Sequence, residues 1–94
     1  MRFKVTLNDE ARGQLRGLAP GPKRLVRRVL REMEDDPFAL DFRQLDRPEV
    51  VYRIREGDYR IVFEPGPGHR EVTVTRIGHR ESVYEGLGRQ PVDE

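Results

Sequence analysis

Arg53, Arg55, Arg60, His79, Arg80 and Tyr84 are the side chains of this chain whose types and spacing suit chemistry on a phosphodiester. They fall in three short runs, Tyr52-Arg53-Ile54-Arg55, Tyr59-Arg60-Ile61-Val62-Phe63 and Gly78-His79-Arg80, the last followed by Tyr84. Side chains two apart on a strand share a face. Arg53 and Arg55 therefore point the same way, and a short turn at Glu56-Gly57-Asp58 returns Arg60 beside them. Guanidinium forks match phosphate oxygens bidentately, and fixed donors of this kind stabilise negative charge as it develops on a pentacoordinate phosphate. A blander reading stands beside this one. Arg53 and Arg55 on the face opposite Tyr52 and Ile54 also describe a solvated strand face, and Arg60 can form a cross-strand ion pair with Glu64 or Glu71, an arrangement worth little. His79 has the proton affinity to act as a shuttle or can be a hydrogen-bonded scaffold residue. His69, in a Pro/Gly turn, reads as surface.

The elements that must position these residues are legible from periodicity. Phe3, Val5 and Leu7 alternate with polar neighbours, the pattern of a half-buried strand. Thr6 or Asn8 can cap a short helix that carries Asp9 and Glu10 at its start and an Ala11, Leu15, Leu18 stripe. Pro22 opens a second helix to about Glu34, with Leu25, Val26, Val29, Leu30 and Met33 on one face and Lys23, Arg24, Arg27, Arg28 and Arg31 on much of the rest. Asp35-Asp36-Pro37 ends it. Residues 38–49 read as a loop tacked down by Phe38, Leu40, Phe42 and Leu45. Val50–Arg55, Tyr59–Glu64 and Glu71–Ile77 read as strands, the latter two joined across Pro65-Gly66-Pro67-Gly68. The expected order is β-α-α-β-β-β: an α+β domain over residues 1–86, two N-terminal helices on a largely antiparallel twisted sheet, with residues 87–94 a flexible tail.

Composition narrows the function classes. The 94 residues suffice for one domain with a modest core, and 37% are charged. With no cysteine, disulfides, thiolate metal sites and cysteine nucleophiles are excluded. No apolar run approaches the ~20 residues of a membrane span, and the start passes straight into a strand rather than a signal peptide, so the expected location is the cytoplasm. No cluster of carboxylates or histidines recommends a metal or another cofactor. The net charge is only +1, but it is unevenly spread. Residues 1–31 hold nine Lys/Arg against two Asp/Glu, and residues 32–51 hold two against seven. Patches rather than totals set the potential a polyanion meets.

The ordered set of a basic pair at Arg53 and Arg55, a Tyr59-Arg60 strand and a late His79-Arg80 with Val83-Tyr84, in a chain of this length, resembles the RelE/ParE superfamily of small type II toxins over roughly residues 2–86. The resemblance implies a RelE-like toxin fold and the toxin of a type II toxin–antitoxin system, closest to the ribosome-dependent mRNA endoribonucleases that use the substrate 2′-OH as nucleophile without a metal. Carried over by position, Arg60 and Arg80 contact the scissile phosphate and Tyr84 stacks on a base, while Arg53 and Arg55 bind flanking phosphate and ribosomal RNA. Base stacking on one aromatic is worth ~1–3 kcal/mol; the alternative for Tyr84 is to close a core edge with Val83 and Leu87. The implied partners are a cognate antitoxin, the ribosome and mRNA, with DNA contacted only through the antitoxin. One departure matters: the best-known ribonuclease branch carries lysines where this chain has Arg53 and Arg55, and arginine effectively does not titrate, so the resemblance does not carry acid–base roles over to these positions while charge stabilisation remains. Two rival readings share the fold: a ParE-like inhibitor of DNA gyrase without catalysis, and an inactive antitoxin-binding module.

Overall fold

Along the chain, the computed structural model, which describes residues 2–85, follows a short strand with two helices and then four more strands. Strand β1 (Lys4–Leu7) turns its Val5 and Leu7 toward the core. Helix α1 (Asp9–Gly17) follows, capped by Asn8, whose Oδ1 accepts from the Ala11 N–H at 2.8 Å. Asp9 and Glu10 in its first turn and Arg16 in its last complement the helix dipole. Helix α2 (Pro20–Asp35) starts two residues earlier than the proline rule suggests, because Pro20 and Pro22 both lie in the first turn, where no intrahelical N–H is lost. Asp36 and Pro37 stop it, and the Asp36 carboxylate accepts from the Phe38 N–H at 3.0 Å to open a 3₁₀ turn at Pro37–Ala39.

The segment expected to be a loop contains strand β2 (Phe42–Gln44). All three of its residues are exposed, so it has no apolar alternation to announce it; it exists because it pairs with β3 (Tyr52–Glu56). Strands β4 (Tyr59–Pro65) and β5 (Glu71–His79) complete a five-stranded sheet of order β1-β5-β4-β3-β2. Three of its four pairings are antiparallel and β1 runs parallel to β5. The α+β class, with both helices early and packed on a largely antiparallel sheet, is the one expected, with β2 added. The tail expected over residues 87–94 lies outside the described residues.

The helices cover one sheet face. Ala11, Val26, Val29 and Met33 bury themselves against Ile54, Ile61, Phe63, Val72, Val74 and Ile77. The opposite face carries a second, smaller cluster of Leu45, Val51, Val62, Val83 and Tyr84. Ile61, Val62 and Phe63 thus feed the two cores alternately, as the two-residue strand period requires, and all three are buried. Among the described residues no helix is long and apolar enough to cross a membrane.

Candidate functional site

The turn between β3 and β4 sets the geometry of the arginines. Glu56 pairs with Tyr59, so the loop has two residues, and Gly57 takes φ 58°, a left-handed conformation open to glycine at little cost. This register places Arg55 directly opposite Arg60 and Arg53 opposite Val62. Arg60 in turn faces Gly78 on β5, where Val83 packs over the missing side chain. The turn also holds two of the guanidinium-bearing residues by its own carbonyls. Arg60 Nη1 donates to Gly57 O at 2.9 Å and Tyr59 O at 3.0 Å, and the Arg80 N–H donates to Asp58 O at 2.8 Å. Arg80 Nε lies 3.8 Å from Asp58 Oδ1.

Arg53, Arg55, Arg60 and Arg80 are therefore gathered at one end of the sheet, on or beside the face away from the helices. They are not equally presented. Arg55 and Arg80 keep 45% and 55% of their side chains exposed, whereas Arg53 is 1% and Arg60 3% exposed. Arg53 was expected to face outward; the second core on this face and the approach of β2 cover it. Its Nη1 donates to Asp41 O at 3.1 Å, and the Asp41 carboxylate lies 3.8 Å away. Asp41 also accepts from Arg55 Nε at 2.9 Å through Oδ2, and its carbonyl accepts from the Arg55 N–H at 3.0 Å. One acidic residue thus offsets the repulsion of adjacent cations. Among the described residues no buried side-chain nitrogen or oxygen lacks a hydrogen-bond partner.

His79 pairs with Tyr59 and the two rings meet edge to face at 5.7 Å. Since Tyr59 and Arg60 point to opposite faces, the structure does not bring His79 onto the arginine face. His79 Nδ1 accepts from the Glu81 N–H at 3.2 Å. Tyr84 is 3% exposed and packs in the second cluster with Leu45, Val51, Val62 and Val83. Three further residues were not singled out from sequence. Asp41 and Asp58 hold the arginines as described. Arg76 Nη1 donates to the carbonyls of Val83, at 3.5 Å, and Glu85, clamping the main chain on both sides of Tyr84. The only sequence signal for these three was charge, which marks most surface residues equally. Beside Arg76, a cleft of about 250 Å³ is lined by Glu10, Arg47, Glu49, Val51, Val62 and Thr75 among others. No group of three His, Asp or Glu side chains able to hold a metal occurs among the described residues.

Residues 5–84 match the family described as the ParE toxin of type II toxin–antitoxin system, parDE. The chain belongs to this family. It is a type II toxin of the RelE/ParE superfamily. It is 23% identical over 88 residues to a putative toxin RelE1 of Methanocaldococcus jannaschii, covering 90% of this chain and 98% of that protein. Among solved structures, the toxin–antitoxin complex RelBE2 of Mycobacterium tuberculosis contains a chain similar to this toxin at TM-score 0.74 and 23% identity, over 85% of this chain and 100% of that one. A chain of the archaeal RelE–RelB complex of Pyrococcus horikoshii OT3 is similar at TM-score 0.70 and 18% identity, over 88% and 100%. At these identities the structural likeness establishes the fold, and the two helices on a five-stranded mixed sheet are the RelE arrangement.

Proposed function

We propose that this toxin is a ribosome-dependent mRNA endoribonuclease. The carrying observation is the gathering of Arg53, Arg55, Arg60 and Arg80 around one hairpin turn whose carbonyls hold Arg60 and Arg80. In the proposed reaction the substrate 2′-OH attacks the adjacent phosphorus in line, its oxygen–phosphorus bond forms as the bond to the departing 5′ oxygen breaks, and the product is a 2′,3′-cyclic phosphate. Arg60 and Arg80 stabilise the charge that builds on the non-bridging oxygens. Arg55, exposed, holds flanking phosphate, and Arg53, buried behind it, adds to the local positive potential. The turn over Gly57 holds the guanidinium of Arg60 and the main chain of Arg80 in place before substrate arrives. The 2′-OH proton passes to water and the departing 5′ oxygen takes one from water, since His79 lies with Tyr59 on the other sheet face.

Tyr84 needs a movement to act. It would stack on a base only after the segment following β5 lifts from the second core, and Arg76, through the carbonyls of Val83 and Glu85, governs that segment. The natural silencing partner is an antitoxin, as in the toxin–antitoxin complexes of its structural relatives. Purified toxin mixed with programmed ribosomes should release mRNA fragments ending in 2′,3′-cyclic or 3′-phosphate. A second reading, non-catalytic inhibition of DNA gyrase, is favoured by the burial of Arg53, Arg60 and Tyr84 and by the ParE description of the matching family. Intact mRNA together with toxin-dependent DNA cleavage by gyrase would replace the first reading with the second.

A further inference from the structure

The second helix carries a charge pattern that the arginine site does not use. Val26, Val29 and Met33 of α2 are buried in the main core, which turns Arg24, Arg27 and Arg31 outward at i, i+3 and i+7, all exposed. Such neighbours stand ~5–6 Å apart, in a row about 10 Å long. Arg28, beside them, is held by Glu32 at 3.7 Å and Glu56 at 3.0 Å. Arg24, Arg27 and Arg31 make no ion pair or side-chain hydrogen bond among the described residues. The row is also unfavourable to the helix that carries it. Like charges at these spacings repel, and α2 has no acidic residue in its first turn and no basic residue in its last, the reverse of what its dipole prefers. Helix stability therefore does not account for the row, whereas a polyanion laid along it would relieve the repulsion.

We propose that the outward face of α2 is a second RNA-docking surface, on which Arg24, Arg27 and Arg31 seat successive phosphates of a structured RNA. The choice of RNA rests on the ribonuclease reading above; the existence of a polyanion surface does not. An acidic protein segment fits less well. Protein interfaces are built on a partly apolar centre, and the exposed large apolar side chains, Phe38, Phe42 and Val50, lie outside this helix. Phosphate contacts need charge alone. Because α2 covers the sheet face opposite the one bearing Arg53 and Arg60, the toxin holds RNA from two sides, with cleavable mRNA at the hairpin turn and ribosomal RNA against α2.

The test is a salt titration of binding, using the full chain with vacant 70S ribosomes and, separately, a 20-base-pair RNA duplex. The triple variant Arg24→Gln, Arg27→Gln, Arg31→Gln should make the slope of log affinity against log salt shallower by about 2–3 on both RNAs and lower affinity roughly tenfold, with its melting temperature unchanged or raised. The corresponding triple lysine variant should keep both slope and affinity. Unchanged slopes in the glutamine variant would overturn the proposal. So would a glutamine variant that loses affinity for the antitoxin alone, which would assign the row to a protein partner. Failure of the ribonuclease reading is separate: wild-type toxin that leaves ribosome-bound mRNA intact but shows the slope change sinks the catalytic assignment and leaves this surface standing.

Discussion

At the scale of the residue, Arg60 does two jobs that one substitution will remove together. Its Nη1 supports the turn through Gly57 O and Tyr59 O, and in the proposed mechanism the same guanidinium meets the scissile phosphate. Losing a transition-state donor costs ~2.7–4 kcal/mol, a hundredfold to a thousandfold in rate, while losing buried hydrogen bonds costs roughly 1–3 kcal/mol of stability. Arg60→Ala should therefore unfold at lower urea and, at temperatures where it is folded, cleave mRNA about a hundredfold or more slowly in single-turnover assays. A folded Arg60→Ala that cleaves within a few-fold of wild type removes Arg60 from the site. For His79 the expectation is the opposite. Because its ring lies against Tyr59 on the other sheet face, His79→Ala should leave the single-turnover rate within about threefold, the range of a lost packing contact rather than of a lost proton acceptor. A drop of a hundredfold or more in that assay would give His79 the general-base role.

At the scale of the element, the hairpin turn and the chain after β5 are the parts on which the site depends. Gly57 holds φ 58° in a two-residue turn, and a side chain there costs about 1–2 kcal/mol in that region of backbone space. Gly57→Ala should lower the urea midpoint accordingly. It should also depress cleavage by more than the lost stability explains, since the Gly57 and Asp58 carbonyls hold Arg60 and Arg80. A variant that is destabilised but cleaves normally would separate turn from site. Arg76 is the complementary lever, acting on the segment that carries Tyr84. Arg76→Gln deprives the Val83 and Glu85 carbonyls of a charged donor, and tyrosine fluorescence and hydrogen exchange should then report opening of residues 81–85 while β4 and β5 stay protected. Equal protection in both proteins would show that apolar packing around Tyr84, not the clamp, holds the segment.

At the scale of the whole molecule, two cores share one sheet, and the smaller is built largely from loop and post-strand residues, Leu45, Val51, Val83 and Tyr84, with Val62 the strand contribution. A partner that covers this face adds burial the isolated domain lacks. Binding a ligand at a hundred times its dissociation constant stabilises by about 2.7 kcal/mol, so the antitoxin complex should melt several degrees above the free toxin, by calorimetry at matched toxin concentration. An antitoxin that neutralises toxicity without moving the melting temperature would contradict it. The ionic surface contributes little by comparison. Pairs such as Arg2 with Glu34 and Asp35 are solvent-exposed, and exposed pairs are worth about 0–1 kcal/mol each.

The amino-acid sequence by itself determined the helices, the late strands and the identity of the arginines, because each rests on local chemistry. Prolines and Asn8 mark helix ends, the Val26, Val29, Met33 stripe marks a buried face, and Tyr59-Arg60-Ile61-Val62-Phe63 shows a strand between turn signals. Only the tertiary structure decided which arginines are exposed. Period-two alternation places Arg53 and Arg55 on one face but is silent about what lies over it; Asp41, β2 and the second cluster cover Arg53 and leave Arg55 open. Strand β2 was hidden for the same reason, since an exposed edge is defined by backbone hydrogen bonds to β3 rather than by side-chain burial. The alternation could place His79 and Arg60 on opposite faces only once the pairing of Tyr59 with His79 was known. Register is a relation between strands distant in sequence, and a one-residue slip reverses every side chain. Folding into the sheet is what brought four arginines spread over 28 residues, from Arg53 to Arg80, to one end of it.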